Sequence, residues 1–79
     1  MQKVVVIDGQ GGKMGAALVT QLKAELPQCE IIAVGTNSAA TVPMLKAGAD
    51  ASATGENPVI ACAADADVIT GPIRILGAN

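Results

Sequence analysis

The sequence predicts an α/β domain built on a parallel sheet, and three observations carry that expectation. Lys3–Asp8 (KVVVID) and Glu30–Gly35 (EIIAVG) are short runs rich in β-branched residues, the pattern of strands covered on both faces. Between them Met14, Leu18, Leu22 and Leu26 recur at every fourth position, with Val19 beside them, as on the inward stripe of an amphipathic helix. Strand-like and helix-like segments then alternate along the chain, which implies parallel strands joined by helical crossovers.

Each element follows from local chemistry. The first strand ends at the glycine-rich stretch Gly9–Gly12, and the helix after it has Thr20, Gln21, Lys23 and Glu25 for its wet side. Pro27 ends that helix, since proline lacks the donor and restricts the residue before it. After the second strand, Gly35-Thr36-Asn37-Ser38 is a turn with helix-capping residues. A short helix is expected over Ala39–Ala47. Pro43 inside it suggests a start near Thr41, with the proline in the first turn. Ala49–Ala53 reads as a short strand with little bulk. Thr54–Asn57 reads as a loop closing on an Asn cap, with Pro58 opening a helix over Pro58–Ala64. Asp67–Thr70 is a strand stopped by Gly71-Pro72, and an apolar tail follows, Ile73–Leu76.

The order is β-α-β-α-β-α-β. It describes one domain over residues 1–79, a three-layer half of a doubly wound fold with a four-stranded parallel sheet. The expected strand order is 3-2-1-4, with 2-1-3-4 as the alternative. Open sheet edges and the apolar tail point to a homo-oligomer.

Composition excludes much chemistry. The 79 residues are 51% apolar, with fifteen alanines and no aromatic side chain, so the core must be aliphatic. A separate substrate domain does not fit this length. With no His and no Tyr, a His-based triad, a His-ligated metal and a Tyr–Lys reductase pair cannot form within one chain. The five basic residues are scattered and the net charge is −2, which argues against a nucleic-acid partner. No apolar run is long enough for a membrane span, and the N-terminal apolar stretch is too short for a signal peptide. Cys29 and Cys62 stand 33 positions apart. They read as reduced thiols of a cytoplasmic protein, not as a metal set.

One motif carries chemistry. Asp8-Gly9-Gln10-Gly11-Gly12-Lys13-Met14-Gly15 lies between the first strand and its helix, with glycines at 9, 12 and 15 and an extra one at 11. A tight turn off the strand needs a residue free to take positive φ. Backbone amides can approach a pyrophosphate only where no side chain intervenes, and the third glycine lets the helix pack on the strand. The helix N-terminus then offers N–H donors and partial positive charge. It is not a P-loop, since Met14 follows Lys13 where Ser or Thr is required. A tight βα turn without ligand, or one holding another small anion, fits the same residues.

In an open α/β sheet the ligand crevice lies at the carboxyl ends of the strands. Gly9–Gly12, Gly35–Ser38, Thr54–Asn57 and Gly71–Pro72 all fall there. No acidic residue follows the second strand, where NAD-binding units usually hold the ribose. Gly35, Thr36, Asn37 and Ser38 stand there instead, as ribose or phosphate donors or simply as helix caps. The expectation is that NADP binds at least as tightly as NAD. Gly12→Val is expected to abolish nucleotide binding in a folded protein.

Two resemblances attach to these residues. Gly9-Gln10-Gly11-Gly12-Lys13-Met14-Gly15 resembles the cofactor loop of dihydrodipicolinate reductases, a Gly-x-x-Gly-Arg-Met-Gly pattern that holds NAD(P)H, with Lys13 in place of arginine. That likeness ends with the loop, since the reductases carry a second domain with catalytic His and Lys. The succession VVVIDGQGG, EIIAVGTNS, ATVPMLKAGAD, ATGEN and DVITGPI is similar, over nearly the whole chain, to a bacterial family of short proteins. That family is described only as a domain of unknown function with a Rossmann-like N-terminal pattern. The resemblance implies the fold and a nucleotide site on the loop, and no activity. Members of that family continue beyond Gly71-Pro72-Ile73, so the resemblance leaves two expectations open, a full-length short protein or one truncated at the C-terminus.

Three functions are therefore expected in competition. The first is a nucleotide-binding module for NADP or NAD, without complete catalytic machinery. The second is a small NAD(P)H-dependent reductase with an inter-subunit substrate site, drawing on Asp8, Glu56 and Lys13. The third is a structural or regulatory interaction protein without ligand. Asp8 at its strand end fits hydrogen bonding to the loop amides as well as acid–base work.

Overall fold

A computed structural model describes residues 3–55, 57 and 68–70. Within them a parallel sheet is formed by β1 (Lys3–Asp8), β2 (Glu30–Gly35) and β3 (Ala51–Thr54), with helices α1 (Lys13–Glu25) and α2 (Ser38–Lys46) as the crossovers. β2 lies between β1 and β3. Lys3 to Asp8 run opposite Glu30 to Gly35 without a break, and Ala51 to Thr54 run opposite Ile32 to Gly35. Val68–Thr70, β4, pairs in parallel with Val4 to Val6 on the other edge of β1.

Alternation along the strands divides the core. Val4, Val6, Ile31 and Ala33 face the helices and pack with Val19 of α1 and Met44 of α2. Leu18, Leu22 and Leu26 close this layer from its margin. Val5, Ile7 and Val34 form a second cluster on the opposite face, with Ile32 against it. All these strand valines and isoleucines except Ile32 are at most 3% exposed, so β1 and β2 are covered on both faces as their composition requires.

Three details differ from the sequence expectation. Met14 is 65% exposed and does not belong to the inward stripe, whose place there is taken by buried Gly15. A strict four-residue spacing drifts by about 40° per step around a helix of 3.6 residues per turn. The stripe through Leu26, Leu22 and Val19 therefore reaches Gly15 and passes Met14 by. α2 begins at Ser38, with Pro43 in its interior. Burial of Ala40, Thr41 and Met44, together with the Asn37 cap, holds the turn that the proline interrupts. β3 runs from Ala51 to Thr54, one to two residues later than its apolar run suggests. The expected Pro58–Ala64 helix and the tail lie outside the described residues.

The amino end of the sheet is tied by Asp50. Its Oδ2 accepts the Ile31 N–H at 2.8 Å, and the Lys23 ammonium donates to Oδ1 at 2.9 Å. The Ile31 N–H first, and then Lys23, hold the Asp50 carboxyl below the ordinary carboxylate range. A carboxyl group whose folded value is depressed stabilises the fold above its unfolded value, near 4, and loses that contribution as pH falls through the folded one. The pair is half exposed, at 31% and 39% for the two side chains, so solvent screening limits it. Asp50→Asn is expected to cost at most about 1 kcal/mol at pH 7. The difference from the parent should shrink below about pH 4, as read from urea unfolding across pH. A difference that stays constant down to pH 2 would mean that the charge of the Asp50 carboxylate is not its source.

Candidate functional site

The carboxyl ends of β1, β2 and β3 converge on one rim. Asp8 ends β1 and is 1% exposed. Its Oδ1 accepts the Gln10 N–H at 2.7 Å, and its Oδ2 accepts the Gly15 N–H at 3.0 Å. The side chain thus folds back into the glycine loop and ties both ends of it to the strand. Of the two roles open to Asp8, the geometry selects the loop hydrogen bonds.

Gly12 is the residue before α1 and takes φ +86°, a left-handed conformation that glycine adopts without strain. A Cβ there would stand 2.5 Å from the Ala40 carbonyl oxygen, so the glycine also allows α2 to approach the loop. A Cβ at Gly15 would meet Met44 Sδ at 2.5 Å and Asp8 Cβ at 3.0 Å, the close helix–strand packing expected of the third glycine. Gly11 is different: it is exposed, and a Cβ there meets nothing within 4 Å. Gly12→Val therefore strains the fold as well as the loop surface, and Gly11 is the position where a side chain tests the loop surface alone.

The second loop joins the first. The Thr36 N–H donates to the Asp8 carbonyl at 3.2 Å, and Asn37 Nδ2 donates to the Gln10 carbonyl at 3.4 Å. Asn37 Oδ1 accepts the Ala40 N–H at 2.9 Å and so caps α2. Thr36, Asn37 and Ser38 are exposed, whereas Gly35 is buried against Thr41. The Gly55 N–H donates to the Gly35 carbonyl at 2.8 Å, and the Thr41 and Thr54 hydroxyls are 2.8 Å apart. Thr41 is the supporting residue that the sequence reading passed over; its signal was the i+4 spacing from Asn37, whose carbonyl lies 3.1 Å from its hydroxyl.

The structure thus brings Asp8, Gly9, Gln10, Gly11, Gly12, Lys13, Met14 and Gly15 together with Gly35, Thr36, Asn37 and Ser38. Gly71, Pro72 and Glu56 lie outside the described residues. A depression of about 180 Å³ opens on the loop, lined by Asp8, Gln10, Gly11, Gly12, Lys13 and Met14. It is smaller than the roughly 300–1,000 Å³ of pockets that enclose a whole small molecule, and it suits a phosphate-sized group. A wider one of about 470 Å³ lies at the amino end of the sheet, beside Lys23, Cys29, Glu30 and Asp50. Its Lys23 and Asp50 neutralise each other, and among the described residues no helix starts there.

The rim therefore defines a parallel α/β domain with a glycine loop opening a helix at the strand ends. A family model for DUF3842, a domain of unknown function, matches residues 3–79, and the chain belongs to that family. No curated protein and no solved structure matches it. Among the described residues no helix is long and apolar enough to cross a membrane.

Proposed function

We propose that the chain is a nucleotide-binding module that takes the phosphates of NADP or NAD on the Gly9–Gly15 loop. The proposal includes a Rossmann-like, four-stranded sheet in the order 3-2-1-4, supported by the parallel pairing of β4 with β1 on the side away from β2. The observation that carries it is the start of α1. Gly12 provides no side-chain cap, and the depression lies directly on this helix end. Asp8 accepts the Gly15 N–H; the remaining first-turn amides and roughly half a positive charge favour an anion there. The depression takes phosphate, and the nucleoside lies over the exposed Thr36–Ser38 segment. Asp8, buried and engaged by two amides, serves the loop and not proton transfer, so binding without catalysis is the better supported form.

Titration calorimetry with NADPH, NADH and ATP tests this. Gly11→Val, with open space at its Cβ, should weaken binding by about tenfold or more while the unfolding midpoint stays near that of the parent. A folded parent that binds none of the three ends the proposal. The second reading, a scaffold without ligand, is favoured by one feature: Asp8 already supplies a negative group to Gln10 and Gly15.

A further inference from the structure

We infer that β3 is a self-association edge: a second copy of this chain pairs antiparallel with it about a twofold axis at Ser52, and α2 packs on its counterpart. β3 ends the sheet beyond β2. Its sequence is Ala-Ser-Ala-Thr, and Ala51, Ser52 and Thr54 are exposed. Sheet edges are commonly blunted by lysine, proline or a bulge, and none of these stands within β3. Backbone groups of a strand turn alternately to its two sides. The Asp50 N–H bonds the Ile31 carbonyl at 2.8 Å, so Ser52 faces β2 in its turn and Ala51 and Ala53 face outward. The Ala53 carbonyl has the Thr41 hydroxyl at 3.5 Å and keeps a second lone pair. A twofold axis at Ser52 sets Ala51 of one copy opposite Ala53 of the other and pairs these outward groups in both.

The helix beside the edge selects a second copy as the occupant. α2 packs on both β2 and β3, and Thr41 marks its β3 side, with its hydroxyl 2.8 Å from that of Thr54. Leu45 follows Thr41 by one turn on that side, and Val42 neighbours Leu45. Both are large apolar side chains and both are 48% exposed. In a sheet continued through β3, the two α2 axes stand two strand spacings apart, about 10 Å. Helices pack at about 8–10 Å, so Val42 and Leu45 of the two copies meet across the axis. The helices run antiparallel there, which opposes their dipoles favourably. A lone extended peptide on the same edge would lie in the sheet plane and leave the α2 flank bare. The four residues of β3 and the Val42–Leu45 flank fall well short of the roughly 20–30 residues a side of a standard interface. The dimer is therefore weak, with a dissociation constant on the order of 100 μM.

Sedimentation velocity of the full chain from about 10 μM to about 1 mM should show a monomer passing into a dimer. Ser52→Lys sets like charges directly opposite each other and should weaken the dimer about threefold or more. An equal mixture of Ser52→Lys and Ser52→Glu should associate more tightly than either variant alone. Leu45→Lys removes an apolar contact from both copies and should weaken the dimer about tenfold or more. All three changes fall on exposed side chains; circular dichroism checks folding, and where one variant does not fold the others decide. A parent that stays monomeric at about 1 mM overturns the inference and leaves the edge to a different chain. A dimer that a folded Ser52→Lys or Leu45→Lys leaves unweakened, or a mixture no tighter than its components, overturns pairing through β3 and α2.

Discussion

Gly12→Val is expected to cost the domain a large share of its stability, whatever it does to ligand binding. Two effects add. Gly12 sits at φ +86°, and a β-branched residue held in that region costs about 1–3 kcal/mol. The new Cβ would also stand 2.5 Å from the carbonyl oxygen of Ala40, and 2.9 Å from its Cα. Those are backbone atoms of α2, and they cannot yield as the tip of a flexible side chain can. Overpacking of this kind costs about 1–3 kcal/mol more. The expected loss is about 2–6 kcal/mol, from a total of about 4–12 kcal/mol for a chain of this length. Urea unfolding of parent, Gly12→Val and Gly11→Val separates the cases. Gly12→Val should shift the midpoint strongly downward, and Gly11→Val should leave it nearly in place. Matching midpoints for Gly12→Val and the parent would mean that the loop and α2 do not pack as described.

The same pair of glycines shows how far the chain could be read from its letters. β1, β2 and the glycine loop are legible because each rests on a local signal: a β-branched run, a proline, a cluster of residues without Cβ. Their boundaries agree with the structure to the residue for β1 and β2. What the letters do not separate is which glycine is needed for which purpose. Gly11 and Gly12 are adjacent and identical in kind. Only the placement of Ala40, 28 positions further on, makes one a packing contact and leaves the other open. The stripe on α1 was misread at Met14 for a related reason. A four-residue repeat and a 3.6-residue helix part company over three turns, and glycine has no side chain to mark Gly15 as the buried position. The Asp50 tie to Ile31 and Lys23 links three separate elements, and no spacing within one of them announces it.

The rim of the site was legible in a different way. Small and polar residues at the strand ends follow from the α/β order itself, and the structure joins three of those loops through Thr36, Asn37, Thr41 and Gly55. Asn37 carries both of its sequence readings as far as geometry can take them. Its Oδ1 caps α2 through the Ala40 N–H, yet its side chain is exposed on the rim and its Nδ2 reaches the Gln10 carbonyl of the glycine loop. Capping therefore does not remove it from a ligand's reach.

On the proposed nucleotide site, NADP should bind at least as tightly as NAD, and Asn37→Asp should reverse that order. The rim after β2 offers Thr36, Asn37 and Ser38, all exposed and none charged, so nothing there repels a 2′-phosphate. An aspartate at position 37 keeps an oxygen for the Ala40 N–H, and its charge suits the start of α2. The fold should therefore tolerate it, with only the 3.4 Å contact to the Gln10 carbonyl lost. The new carboxylate would accept the ribose hydroxyls of NAD and oppose the added phosphate of NADP. At this half-screened surface such a like-charge contact costs about 1–3 kcal/mol, a tenfold to hundredfold loss for NADP. Competitive titration of the two cofactors against parent and variant measures the ratio directly, with the unfolding midpoint as a control. A variant that folds and keeps the parent's ratio would reduce Asn37 to a helix cap. A parent that strongly prefers NAD would place the adenosine ribose elsewhere on the rim.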